Sequence, residues 1–174
     1  MHESADSLGR TMVVKHSAKL DLGDYLPYLV NRVGTIIAEQ FGEEALAPHR
    51  LSIAMWRVMA VLSSTRGQRQ IDLADLTSID SSTLSRLVTR LVRLGLVTRT
   101  RSTSSYREVA VKLSPKGGAL VAQLIPIGLE FEAASIAGLS PEELMTLKRC
   151  LRRMYSNMKH RNAAAGARPK RLAG

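Results

Sequence analysis

Aromatic residues make up only 4% of this 174-residue chain. That scarcity argues against a surface that holds single-stranded nucleic acid by stacking bases on rings. A single cysteine excludes an intramolecular disulfide and a cysteine-only zinc site. No apolar run is long enough to cross a bilayer, so no membrane partner is expected. The opening stretch lacks a continuous apolar core and carries Glu3, Asp6, Asp21 and Asp24. No secretory signal is therefore expected, and the implied location is the cytoplasm. His2, His16, His49 and His160 are scattered, with no carboxylate partners at metal-ligand spacing, so no metal site is expected. A phosphate loop and a G-x-S-x-G elbow are both missing. Ser156-Asn157-Met158-Lys159 does match S-x-x-K, a pattern that chance supplies readily. Neither a cofactor nor an enzymatic activity is expected.

Acids are also in short supply: 15 against 25 Lys and Arg, for a formal charge of +10. The excess is uneven. Residues 1–48 carry a net −3, residues 49–113 a net +7 and residues 114–174 a net +6. Charge serving solubility alone would not avoid the first third. The middle segment is the candidate for contact with a polyanion. Part of the last excess falls in a small-residue tail after Lys159.

Hydrophobic spacing divides the chain. Residues 1–20 show no sustained period and read as a flexible arm. Leu26, Leu29, Val30, Val33, Ile37 and Phe41 recur at helical steps, with Gly42 and Pro48 bracketing the stop. A second helix is expected from Arg50 to Ser63, then a loop over residues 63–67. Two short helical patterns follow, Ile71–Leu76 and Ser82–Leu94, the second closed by Gly95. Residues 96–101 and 107–113 alternate around a polar tip and predict a hairpin. Ser114-Pro115 opens a long helix. Ser140-Pro141-Glu142-Glu143 reads as a capping box before a last helix. In that helix Leu144, Leu147, Leu151, Met154 and Met158 form a heptad-type seam for a partner helix. Cys150, inside the same helix, reads as a packing residue.

Helix, tight turn, helix and hairpin is the order of a winged helix-turn-helix. On the second helix of the pair, Leu84, Leu87, Val88, Leu91 and Val92 share one face. Ser82, Ser85, Arg86, Thr89, Arg90 and Arg93 lie off it, and no acid occurs from Ser81 to Ser105. A slim helix bearing guanidinium and hydroxyl groups suits the major groove of a duplex, where Arg reads guanine and Ser or Thr reaches bases or phosphates. The hairpin adds Arg99, Arg101 and Arg107, placed for phosphate and minor-groove contact.

The stretch LADLTSIDSSTLSRLVTRLVRLGLVTR, then VKLSPKG, then LSPEELMTLKRCLRRM, resembles the MarR family of bacterial transcriptional regulators. Ser82, Thr83, Ser85 and Arg86 match its recognition-helix positions, and Arg107 matches its wing-tip arginine. Two family acids are replaced, by Thr89 in the recognition helix and by Ser105 before Arg107. The resemblance implies a mainly α fold with a small β wing. It comprises a winged helix-turn-helix lobe at 49–113 and a helical dimerisation lobe at 21–48 and 114–160, while composition alone predicts a basic, disordered tail at 161–174. It also implies a homodimer on a pseudo-palindromic DNA operator. The DNA-contacting set is then Ser81, Ser82, Thr83, Ser85, Arg86, Thr89, Arg90, Arg99, Arg101 and Arg107.

Relatives commonly release DNA when a small molecule enters the crevice between lobes. The residues expected to line it are Tyr25, Tyr28, Leu29 and Arg32 on the first helix, with Met55, Trp56 and Met59 on the second. An anionic aromatic or CoA-linked effector fits that set, although Trp56 and Met59 also suit a core. The expected function is a ligand-released repressor. An architectural protein without sequence preference and a protein-binding adaptor on the same fold are the alternatives.

Overall fold

The structure, a computed structural model, describes residues 20–65, 67–101 and 109–166. The chain divides into two units, Met1–Gln40 and Phe41–Gly174. In the first, a turn in which the Asp21 carboxylate accepts from the Gly23 N–H at 2.8 Å leads into helix α1, Leu26–Phe41. Along α1, Leu26, Leu29, Val30, Val33 and Ile36 are all exposed.

The second unit carries the remaining elements. Gly42, expected with Pro48 to bracket the stop, does follow the last residue of α1, but the chain goes on winding. A π turn, Gly42–Leu46, and a 3-10 turn, Ala47–His49, follow directly and bury Ala45 and Leu46. The stop comes at Arg50, whose left-handed φ of +57° sends the chain out of the spiral. Helix α2 therefore starts at Ile53 rather than Arg50, with the Ser52 hydroxyl accepting from the Met55 N–H at 3.3 Å. It also continues through Thr65, where a loop was expected. The hydroxyls of Ser63, Ser64 and Thr65 donate to the carbonyls of Ala60 and Val61, which satisfies them inside the helix.

Strand β1, Gln68–Arg69, was not anticipated from the sequence. It precedes α3, Gln70–Thr77, and α4, Ser81–Arg93. Strands β2, Val97–Arg101, and β3, Val109–Leu113, form the hairpin. The sheet is antiparallel in the order β1-β3-β2, with Val97 opposite Leu113, Arg99 opposite Val111 and Gln68 also opposite Val111. Helices α5, Pro115–Ser135, and α6, Pro141–Gly166, complete the fold.

One core joins α2, α3, α4, the sheet and α5. Met55, Val58, Met59 and Leu62 of α2 pack with Leu73, with Leu84, Val88 and Leu91 of α4, and with Val97 and Val111 of the sheet. Leu120, Val121 and Leu124 of α5 belong to the same cluster, so the expected lobe boundary at residue 114 is not a break in the core. Phe41 meets Trp56 and Phe131 edge-on, with ring centroids 5.6 and 5.5 Å apart. Such pairs add to the burial they accompany. Thr77, a buried polar side chain, donates to the Leu73 carbonyl at 2.6 Å.

Three of the caps read from the sequence are in place. Ser140 and Glu143 exchange hydrogen bonds reciprocally, at 2.8 and 3.2 Å. Ser114 accepts from the Gly117 N–H at 2.9 Å with Pro115 at the first helical position. Gly95, at φ +71°, ends α4 in a Schellman arrangement: its N–H bonds the Val92 carbonyl and the Leu96 N–H bonds the Leu91 carbonyl. Helix α6 runs to Gly166, into the stretch expected as tail, because alanine is the strongest helix former. On α6, Leu147, Leu151 and Met158 of the seam are exposed, whereas Leu144 and Met154 are half-buried. Cys150 is also exposed, which corrects the reading of it as a packing residue within the chain.

Candidate nucleic-acid interface

Helix α4 is anchored before its first turn. The Asp80 carboxylate accepts from the Thr83 N–H at 2.9 Å and from the Ser82 hydroxyl at 2.6 Å. Those bonds stabilise the charged form and hold the Asp80 carboxyl well below the usual carboxylate range. They also spend the Ser82 proton on Asp80. The contribution to stability is complete above an ordinary aspartate pKa of about 4 and fades as the pH falls below it. Asp80→Ala should lower the urea midpoint at neutral pH. Asp80→Asn, which keeps a capping oxygen, should hold that midpoint better and weaken the loss on acidification to about pH 3. Equal acid sensitivity in the native chain and the Asp80→Asn variant would show that the titration belongs to other groups.

The face of α4 away from the core exposes Ser81, Ser82, Arg86, Arg90 and Arg93. Ser85, Thr83 and Thr89 are half-buried at its margin. Val92 is 38% exposed, so it leaves the apolar stripe that the sequence assigned to it. The spiral from Leu84 through Val88 and Leu91 carries residue 92 past the edge of the core. Neither Arg86 nor Arg90 has an ion-pair partner among the described residues.

Arg99 behaves differently from the other cations. It extends from β2 to α4, where its Nη2 donates to the Ser85 carbonyl at 3.0 Å and to Thr89 Oγ1 at 3.1 Å. Sequence reasoning grouped it with the free arginines, since side-chain reach across elements has no local signature. The side chain of Arg101 and the whole of Arg107 lie outside the described residues.

Behind the helix pair, Ser78 sits in the left-handed region at φ +55° and caps α3. Its hydroxyl shares a 2.8 Å hydrogen bond with Tyr155 on α6, a contact that sequence reasoning missed entirely. At the other end of α3, Arg69 meets Asp72 at 2.6 and 2.9 Å, which holds the Asp72 carboxyl below its ordinary range.

The order of these parts, α3, tight turn, α4 and a three-stranded wing, is that of solved regulators. A MarR family model matches residues 51–109. The chain is 30% identical to a MarR family transcriptional regulator from Silicibacter pomeroyi, whose crystal structure it matches with a TM-score of 0.71 over 82% of this chain and 96% of that one. The chain belongs to the MarR family of transcriptional regulators.

Two further relatives of this chain are transcriptional regulators. It is 26% identical over 132 residues to an HTH-type transcriptional repressor of Mycobacterium tuberculosis, spanning 76% of this chain and 94% of that protein. It also matches a cysteine-to-serine mutant of Escherichia coli MarR crystallised with operator DNA, at 25% identity and a TM-score of 0.68, over 74% of this chain and 92% of that one.

The residues assigned to effector binding are distributed unevenly for that role. On α1, Tyr25 and Leu29 are exposed, and the Arg32 guanidinium lies over the Tyr28 ring, 5.9 Å from its centroid. Leu29 and Arg32 share a cavity of about 280 Å³ with Val33 and Ile36. In the second unit Met55 and Met59 are fully buried and Trp56 is half-buried against Phe41. The two methionines fill the core rather than presenting a surface, because they lie with Val58 and Leu62 on the one stripe of α2 that faces it.

Proposed function

We propose that this MarR regulator is a homodimeric, sequence-specific repressor that reads duplex DNA with α4 and straddles the backbone with the β2–β3 wing. The observation that carries the reading is the outward face of α4: Arg86 and Arg90, exposed and without ion-pair partners among the described residues, beside Ser81 and the wing, with no acid from Ser81 to Ser105. The E. coli relative solved with operator DNA supports the same docking. In this reading Arg86 and Arg90 supply base or phosphate contacts and Arg107 enters the minor groove.

A second copy of the chain is the natural cover for the exposed apolar positions on α1 and α6, among them Val33, Ile36, Leu147 and Leu151. Exposed apolar surface on this scale, on two helices, suits an obligate interface. Residues 21–48 and 114–160 then supply dimerisation and residues 49–113 supply DNA contact. Two-fold symmetry places the two recognition helices about 10 base pairs apart on a pseudo-palindrome. The effector in this reading is a small anionic aromatic molecule or its CoA thioester. Exposed Tyr25 and Leu29, with the Arg32–Tyr28 pair, are its first contacts, and DNA release is its consequence.

Sedimentation should give two chains per particle. Selection from random duplexes should return a pseudo-palindrome bound at least about a thousandfold more tightly than bulk DNA. Equal affinity for selected and random duplexes, with a steep salt dependence, would identify an architectural protein instead. Indifference to any duplex would leave the adaptor. Aromatic acids and their CoA thioesters should include at least one that raises the melting temperature and releases the selected duplex, and silence across that panel would refute the ligand-gated part.

A further inference from the structure

We propose that Arg99 is a positioning residue, which clamps the first strand of the wing to the recognition helix and does not grip a phosphate. The inference rests on the DNA-binding reading above and concerns what sets the distance between its two reading elements.

The geometry is a closed triangle. Arg99 Nη2 donates to the Ser85 carbonyl at 3.0 Å and to Thr89 Oγ1 at 3.1 Å, and Thr89 Oγ1 itself donates to the Ser85 carbonyl at 2.8 Å. The Thr89 proton is spent within the helix and one of its lone pairs is taken by the guanidinium. Thr89 therefore has no proton left to offer a base. The direction of Arg99 follows from the pleat. Side chains two apart on a strand share a face, so Arg99 lies on the face that buries Val97, one step further along, and opposite Val111, which is also buried. That face leads onto α4 and not away from it. Where the sheet runs past the core, the next side chain must cross to the helix margin, and a guanidinium has both the length and the donors to bond two acceptors there. The outcome divides the arginines: Arg86 and Arg90 stay outward and unpaired among the described residues, while Arg99 ties β2 to the turn of α4 between Ser85 and Thr89.

The full chain and three substitutions test this: Thr89→Val, Arg99→Ala and Arg99→Lys. Without DNA, the urea midpoints of Thr89→Val, Arg99→Ala and the double variant form a cycle. The clamp requires coupling, with the double variant losing less than the two single losses combined; strict additivity would overturn it. On a duplex selected by the native chain, Thr89→Val and Arg99→Ala should each weaken binding by roughly two- to tenfold with the salt slope unchanged. Arg99→Lys should be as weak as Arg99→Ala, since an ammonium keeps the charge but lacks the forked reach. A phosphate contact gives the opposite pattern. Arg99→Ala then lowers the salt slope by about one, Lys restores most of the affinity and Thr89→Val is silent. A native chain that binds no duplex would defeat the DNA reading, and the cycle measured without DNA would still decide the clamp.

Discussion

Gly117→Ala should destabilise the fold by about 3 kcal/mol, or roughly 6–12 °C in melting temperature for a chain of this size. Gly117 is buried in the first turn of α5, directly over the turn that ends α4. A Cβ built there would lie 1.9 Å from the Leu96 carbonyl oxygen and 2.9 Å from its carbon. Both atoms are backbone, and the oxygen is already held by the Ser114 N–H at 3.0 Å, so neither can swing aside. Alanine favours a helix over glycine by up to about 1 kcal/mol, which the clash exceeds. The neighbouring glycine is the control. A Cβ at Gly118 meets nothing within 4 Å, so Gly118→Ala should be neutral or stabilising. Urea or thermal unfolding of the two variants separates them. Equal behaviour would mean that α5 can lift off Leu96 at little cost.

Arg86→Ala should lose about 1–3 kcal/mol on a selected duplex, or roughly 5- to 150-fold in affinity, with the loss concentrated at one base position of each half-site. The expectation rests on what is left free on α4. Ser82 is engaged with Asp80, Thr89 with Ser85 and Arg99, and Arg99 with both. Arg86 stands exposed a turn beyond Ser82, a turn before Arg90, and opposite buried Leu84 and Val88. A guanidinium there can offer two parallel donors to guanine without breaking a hydrogen bond or ion pair among the described residues. Binding measured against single-base variants of the duplex checks it. An unchanged base preference would remove Arg86 from recognition, and a uniform loss with a reduced salt slope would make it a phosphate contact.

Most of the local structure was legible because it is governed by rules acting over a few residues. Ser114-Pro115, the Ser140–Glu143 box and the Gly95 stop each satisfy backbone groups that a helix end leaves open, and the structure keeps all three. The face of α4 followed from its 3.6-residue period. The failures share a different cause. Gly42 does follow the end of α1, but the π turn that starts there was not legible, because it buries Ala45 and Leu46 in a core assembled from elsewhere. Strand β1 is two residues long, too short for any periodicity, and exists because β3 offers an open edge. Met55 and Met59 suited a deformable wall in composition, and only their place at the centre of the core shows them to be filling it.

The sequence by itself determined the order of elements, three of the caps, the exclusion of net positive charge from residues 1–48 and the outward arginines of α4. All of these depend on spacing along one chain or one helix. Tertiary structure alone decided which arginine is free and which is tied, why Gly117 cannot be alanine while Gly118 can, and how Ser78 comes to meet Tyr155. Those are contacts between atoms distant in sequence, and their distances are set by how the sheet, α4, α5 and α6 pack together. No local pattern encodes a packing distance, so such contacts are settled only when the whole core is assembled.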